Sequence, residues 1–336
     1  MQKKPVLAIT MGDVNGIGPE ILAKALARPE PWQWCRPLAI GSLAAYENAR
    51  HMAPGAPPAR ALQDPREPLS GERNLPLFDG GHKTPPLQPG MLDPEAGRCA
   101  AEWVKIAVQL AKDRTVDGMV TCPISKDCIR QAGYAYSGHT SLIADLTDAP
   151  DYRMCLFTPT MRILHITAHL SLRDAIDAVT ADRIVTSIRI GHEALARLGN
   201  PSPRIAVAGL NPHAGEAGAF GREEIDAIAP AVQICQQEGI ACSGPYPPDT
   251  LFGKMRDGLF DMIIAMYHDQ GHIPLKLIAM DEGVNVTLGI PIVRTSVDHG
   301  TAFEIAGPGI AREHSLCAAL ELAAQFARCP AGRSTP

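Results

Sequence analysis

Strand-like apolar runs alternate with helix-patterned segments along most of this chain, and each run ends in polar residues. Val6-Leu7-Ala8-Ile9 leads through a loop into a helical stretch at residues 21–27. Asp93 and Pro94 have the residue types of an N-cap and a first helical position, opening a helix through Trp103, Ile106 and Leu110. Met119-Val120-Thr121 follows as a strand, and residues 161–166, 204–208 and 261–266 read as further strands. Such alternation predicts an α/β chain. Ligands of open α/β sheets bind beyond the carboxyl ends of the strands. Here those ends lead from Thr121 to Pro123 and Lys126, from Ile166 to His169, from Leu210 to Asn211 and His213, and from Met266 to His268 and Asp269.

At 336 residues the chain is long enough for two domains. The expected split is a first domain of residues 1–130 plus 278–336, carrying the cofactor loop, and a second of residues 131–277, carrying metal and substrate ligands and dimer contacts. Residues 53–90 are rich in Pro and Gly and are expected to be loops within the first domain. With 46% hydrophobic and 20% charged residues the composition is that of a globular protein. A net charge of -5 without a Lys/Arg run argues against nucleic-acid binding. No stretch approaches the roughly 20 apolar residues of a membrane span, so no membrane partner is expected. The residues before Thr10 turn directly into a Gly-rich loop and not into a signal-peptide cleavage site. The nine cysteines are scattered and form no CxxC pair, as in a reduced, cytoplasmic protein.

Three histidines stand at strand ends: His169 in Thr-Ala-His-Leu, His213 in Asn-Pro-His-Ala-Gly and His268 in Tyr-His-Asp-Gln-Gly. Three imidazoles with an open fourth position make a Lewis-acid site for a divalent ion. Separate structural histidines, each bonded in its own turn, are the alternative. Gly218, Gly221 and Glu223-Glu224 follow His213, so the backbone there can approach a ligand closely. Asp249 lies on a stiff Pro-rich loop near a helix start, where capping explains it as well as catalysis does. His139 and Thr140, with Lys276, Asn285 and Arg294, offer donors suited to an anion. Asn285 and Arg294 stand in apolar, strand-like surroundings, where an unpartnered polar group is costly.

No GxGxxG fingerprint is present, and the 11–20 loop has the wrong glycine spacing for a Rossmann turn. The 298–307 segment, Asp-His-Gly-Thr-Ala-Phe-Glu-Ile-Ala-Gly, resembles the loop with which isocitrate and isopropylmalate dehydrogenases hold NAD(P). It nominates His299, Gly300, Thr301, Ala302 and Glu304 for the cofactor.

Taken with Met11-Gly-Asp, Gly16-Ile-Gly-Pro-Glu20, Gly138-His-Thr140, Leu210 to Glu216, Pro248 to Leu251, Tyr267 to Gly271 and Arg294 to Ala302, the chain resembles the 4-hydroxythreonine-4-phosphate dehydrogenase (PdxA) family. The resemblance runs from residue 5 to about residue 325. It implies an isocitrate/isopropylmalate-dehydrogenase-like fold of two α/β domains with an active-site cleft between them, and a homodimer with active sites at the interface. It implies NAD, with NADP as the alternative, and one divalent ion (Zn, Mg, Mn or Co) on His169, His213 and His268. His139, Thr140, Lys276, Asn285 and Arg294 match the positions that hold the phosphorylated substrate. Several residues depart from the family pattern: Val14-Asn15 for Pro-Ala, Cys122 and Ser125 for Ala and Asn, and Ser141 for Glu. The 271–276 segment, Gly-His-Ile-Pro-Leu-Lys, resembles a branch acting on 4-phospho-D-threonate or 4-phospho-D-erythronate in sugar-acid catabolism.

The expected reaction is NAD-dependent oxidation of a 4-phosphorylated 3-hydroxy acid at its CH-OH group, followed by decarboxylation of the 3-keto acid. Asp249 and Lys276 are the candidates for proton transfer. The competing readings are an aromatic cis-dihydrodiol dehydrogenase, a metal-dependent hydrolase and a non-catalytic sugar-phosphate-binding protein.

Overall fold

The first strand, β1 (Val6–Thr10), is buried along nearly its whole length, because a parallel strand covered on both faces has no polar side to alternate with. The computed structural model describes residues 3–67, 69, 73–279 and 282–329. After β1 come α1 (Gly18–Ala27), α2 (Glu30–Trp34), β2 (Arg36–Ile40), α3 (Leu43–Arg50), β3 (Ala59–Ala61) and β4 (Leu75–Phe78). Then follow α4 (Pro94–Lys112), β5 (Gly118–Thr121), α5 (Lys126–Gln131) and α6 (His139–Leu146). Asp93 caps α4 as its sequence position predicts, its carboxylate accepting from the Glu95 amide at 2.8 Å, with Pro94 at the first helical position.

The middle of the chain forms β6 (Arg153–Phe157), β7 (Arg162–His165), α7 (Leu172–Asp177), α8 (Ala181–Arg197), β8 (Ile205–Ala208) and α9 (Ala229–Gln237). It continues through β9 (Cys242–Tyr246), α10 (Pro248–Arg256), β10 (Met262–Ala265), α11 (His268–Ala279) and β11 (Val284–Leu288). The chain closes with β12 (Arg294–Val297) and α12 (His314–Arg328).

Among the described residues, one compact unit comprises the chain up to Pro150 and from Ile290 onward, and the other comprises Asp151–Gly289. From sequence, the changeovers are expected at 130/131 and 277/278. They fall later because α5 and α6 pack on α4, while β11 pairs with β6. Residues 1–2 and 330–336, assigned to the first domain from sequence, lie outside the described residues.

In the first unit the strands run in the order β3-β4-β2-β1-β5-β12, with parallel pairing throughout. The loops expected across residues 53–90 therefore contain two strands. In the second unit the order is β11-β6-β7-β10-β8-β9, antiparallel at β11-β6-β7 and parallel from β7 to β9. Leu156, Ile163, Ala206, Leu251, Met255 and Ile263 belong to one buried cluster of that unit. Among the described residues, no helix is long and apolar enough to cross a membrane.

Candidate functional site

Strand order in the second unit puts the three histidines on neighbouring loops. β10 lies between β7 and β8, all parallel, so the segments leaving their carboxyl ends adjoin, and these carry His169, His268 and His213 in turn. Gln270, buried in the first turn of α11, ties them together. Its Oε1 accepts from the Met266 amide at 2.7 Å and its Nε2 donates to the Gly209 carbonyl at 2.8 Å, while Thr167 Oγ1 donates to the Met266 carbonyl at 2.9 Å. Nothing local in the sequence singles out Gln270, because one of its two partners, the Gly209 carbonyl, is far away in the chain.

The ring centres of His169 and His268 lie 5.9 Å apart. Two imidazoles on one ion, with metal–nitrogen bonds of 2.0–2.1 Å, allow ring centres up to roughly 6.5 Å apart, so this pair fits a shared ion. His268 Nδ1 donates to Asp269 Oδ1 at 2.6 Å, leaving Nε2 for a ligand, as in the carboxylate–histidine pairs that orient metal-binding imidazoles. His213 packs its ring against Phe220 at 6.2 Å. Among the described residues, no three His, Cys, Asp or Glu side chains are grouped so as to hold a metal.

The segment bearing His213 is a left-handed turn. Its residues 213–217 all have positive φ, from 42° to 80°, and only Gly215 is a glycine. Such a conformation costs on the order of 1–2 kcal/mol for each L-residue and persists only where the surroundings enforce it. Glu224 braces the segment that leads into the turn. It is buried, and its carboxylate accepts from the amides of Leu210 and Asn211 at 2.8 Å each and from Asn211 Nδ2 at 2.9 Å. Burial works to raise its pKa, but the bonds from Asn211 and Leu210 outweigh it and hold the carboxyl below its usual range. A Cβ on Gly215 would stand 2.6 Å from Glu224 Oε2, so the glycine is what admits the carboxylate.

His268 also begins a four-residue repeat along α11 through His272 to Lys276. The His272 ring stacks on His268 at 3.6 Å with 10° between planes, and the fully buried His165 ring lies 4.8 Å from His272. Burial, with the neighbouring His272, takes His165 down to about 3, and burial, with His268, takes His272 down to about 4; both are neutral at neutral pH. Lys276 and Asp249 are exposed, Asp249 in the first turn of α10 without capping it, and Asn285 is half-buried on β11.

The first unit gathers three of the predicted anion ligands. Gly138, at φ 149°, precedes α6 without a side chain over the helix N-terminus, and His139 and Thr140 occupy the first turn. Open N-terminal amides with the helix dipole favour an anion. His139 Nε2 is buried with no hydrogen-bond partner. Arg294, at the start of β12, is 2% exposed and donates from Nη2 to Thr121 Oγ1 at 2.9 Å on the adjoining β5. Burial lowers its guanidinium to about 9. Burial first, then the charges of Arg294 and Lys126, holds His139 well below its ordinary value. Buried positive charge beside an open helix N-terminus is chemically suited to an anion.

Also in the first unit, the 298–307 segment meets the 11–20 loop. The Ile17 amide donates to the Thr301 carbonyl at 3.0 Å, and a Cβ on Gly16 would lie 2.9 Å from that oxygen. The glycines of the 11–20 loop do not match a Rossmann turn; Gly16 lies against Thr301, Gly12 against Pro123 and Gly18 against Met11. Gly300 faces open space. A small cavity beside these loops is lined by Val14, Gly16, Glu20, Asn48, Met52 and Gly307.

The departures from the family pattern have local explanations. Ser125 caps α5 through the Cys128 amide, a task Asn performs equally well. Asn15 is buried, its side-chain and main-chain oxygens accepting from the amides of Gln88 and Gly90. Val14 and Cys122 are buried, and Ser141 Oγ donates back to the Gly138 carbonyl.

The family model described as pyridoxal phosphate biosynthetic protein PdxA matches residues 33–323. The chain belongs to this family. A D-threonate 4-phosphate dehydrogenase from Cupriavidus necator is 43% identical over 96% of this chain and 97% of its own length. A 4-hydroxythreonine-4-phosphate dehydrogenase from Geobacter metallireducens is 44% identical over 99% of both. The crystal structure of 4-hydroxythreonine-4-phosphate dehydrogenase from Klebsiella pneumoniae, 42% identical, superposes with a TM-score of 0.87 over 96% of this chain and 98% of that one. As a PdxA-family member the chain is an oxidoreductase of the dehydrogenase kind, acting on a CH-OH group.

Proposed function

We propose that this PdxA-family chain oxidises the C3 alcohol of a small 4-phosphorylated hydroxy acid with NAD, assisted by one divalent ion, and that the resulting 3-keto acid loses CO2. The observation that carries the reading is the buried guanidinium of Arg294 beside His139 at the open start of α6. A phosphate dianion would take charge-assisted bonds from Arg294, the α6 amides and Thr140, which an uncharged substrate could not.

His169, His213 and His268 are the proposed ligands of the ion, which when bound supplies Lewis acidity toward the alcohol and keto oxygens. Asp269 fixes the His268 ring so that Nε2 is presented. His299, Gly300, Thr301, Ala302 and Glu304 form the proposed NAD loop, with NADP as the alternative, and the 11–20 loop supports it through Thr301. In balance, a bound nicotinamide would supply the acceptor for the C3 hydride, and the hydroxyl proton would leave to a base, for which Asp249 and Lys276 are the candidates. The keto group then lies β to the carboxylate, so the C–C bond breaks with its electron pair delocalised onto the keto oxygen. Lys276 and Asn285 contact the same substrate in this reading. A homodimer is part of the proposal, supported by the apolar residues that α11 leaves exposed, Ile273 at 58% and Leu277 at 82%.

NADH formation should be measured with 4-hydroxythreonine-4-phosphate, 4-phospho-D-threonate, 4-phospho-D-erythronate and an unphosphorylated dihydrodiol. One of the phosphorylated acids should be turned over, and its unphosphorylated counterpart should be slower by several orders of magnitude. Preferential turnover of the dihydrodiol would overturn the reading.

A further inference from the structure

Two histidines outside the proposed ligand set, His165 and His272, are packed behind His268. The His272 ring lies flat on His268, with 3.6 Å between ring centres and 10° between planes. Its Nδ1 lies 3.0 Å from the His268 carbonyl oxygen, and since a carbonyl only accepts, that nitrogen carries the proton. Behind it, the His165 ring lies 4.8 Å from His272 and its Nδ1 donates to the Met154 carbonyl of β6 at 3.3 Å. His165 Nε2 is buried with no hydrogen-bond partner. Room for this ring comes from Gly271, where any Cβ would collide with His165 Nε2.

A column therefore runs from the main chain of β6 through His165 and His272 to His268, and Asp269 holds the far edge of the His268 ring. With one face covered and Nδ1 engaged, the His268 imidazole keeps one orientation and one free nitrogen. We propose that His272, backed by His165, is a positioning residue that presents His268 Nε2 to the divalent ion. The inference rests on the proposed role of His268 as a metal ligand. A flat ring at position 272 is the requirement, since the contact is face to face.

The test titrates Co2+ into the metal-stripped full-length wild type, His272→Ala and His272→Phe, reading affinity by calorimetry and ligand geometry by the cobalt d–d absorption. Thermal melts accompany each titration. Groups that orient a metal-binding histidine typically contribute 10- to 100-fold in affinity, so His272→Ala should bind at least tenfold more weakly with an altered d–d band. His272→Phe should stay within about threefold of wild type, because the flat ring restores the stack. Wild-type affinity and spectrum in His272→Ala would overturn the inference, and so would equal losses in the Ala and Phe variants when both melt cooperatively. A wild type that binds no Co2+, Zn2+ or Mn2+ would instead remove the metal role of His268, and the inference with it.

Discussion

Replacing Arg294 with methionine should make the ligand-free protein more stable while abolishing its affinity for phosphate. Arg294 is 2% exposed, and burial alone brings its guanidinium from 12.5 to about 9. At about 1.36 kcal/mol for each tenfold change in proton affinity, keeping that charge costs roughly 5 kcal/mol. Methionine fills much of the same volume without the charge and loses the bond to Thr121 Oγ1, worth about 1 kcal/mol. Replacing buried charges with apolar side chains of similar size is often stabilising by about 1–4 kcal/mol, and a net gain of about 2–4 kcal/mol is expected here. That corresponds to a rise in Tm of roughly 3–6 °C for a chain of this length. The folded-state pKa is depressed, so the penalty is fully present below pH 9 and is relieved only as pH rises from about 9 toward 12.5. Melts at pH 7.5 in a buffer free of phosphate and sulfate therefore register all of it. Inorganic phosphate at 100 times its Kd should then add about 2.7 kcal/mol to the wild type and nothing to Arg294→Met. A variant that melts below wild type, or that phosphate stabilises equally, would refute the reasoning.

Three further outcomes are expected. Asp13 is fully buried and its carboxyl is raised to about 6 by burial, against the opposing bond from the Asn15 amide, so the stability its protonated form provides is lost as pH rises from 3.8 through 6. Asp13→Asn should accordingly match wild type near pH 4 and exceed it by about 3 kcal/mol at pH 7.5 in urea titrations, whereas a pH-independent difference would count against this. Glu224→Ala deprives the Leu210 and Asn211 amides of their acceptor, while Asn211 Nδ2 keeps Glu223; unfolding free energy should fall by about 2–4 kcal/mol, and unchanged stability would show that water replaces the carboxylate. Gly16→Val should displace Thr301 and raise KM for NAD far more than KM for the acid, while Gly300→Val, facing open space, should leave Tm within about 1 °C; equal changes in both Michaelis constants for Gly16→Val would argue for a general folding defect.

Most of the architecture could be read locally. Buried parallel strands such as β1 and β10 are continuous apolar runs, and the Asp93-Pro94 start of α4 is a short-range signal. β3 and β4 are not legible because they are three and four residues long and are defined by pairing, β4 with β2 and β3 with β4, in a stretch whose composition reads as loop. The histidine positions were legible from strand ends, and their adjacency followed only from strand order, which places β10 between β7 and β8. Glu224 and Gln270 stand in segments that the sequence marks, but their bonding is not legible there, because each acts on main-chain groups of another loop. His165 falls within a strand that reads as core, and nothing in its neighbourhood announces that His272 will lie against it. Arg294, by contrast, was visible as a cation in apolar surroundings, and the structure adds what it faces: Thr121 and His139.

The left-handed turn at residues 213–217 also bears on how the protein moves. Its dihedral strain lowers the cost of local opening, while the β8 strand just before it is buried over its whole length and hydrogen-bonded on both sides. Amide exchange in the two segments should separate: 214–217 exchanging through excursions of the turn alone, and β8 only on global unfolding. His213 thus stands on the strained side of a boundary with a rigid strand, and Glu224 holds the two amides at that boundary.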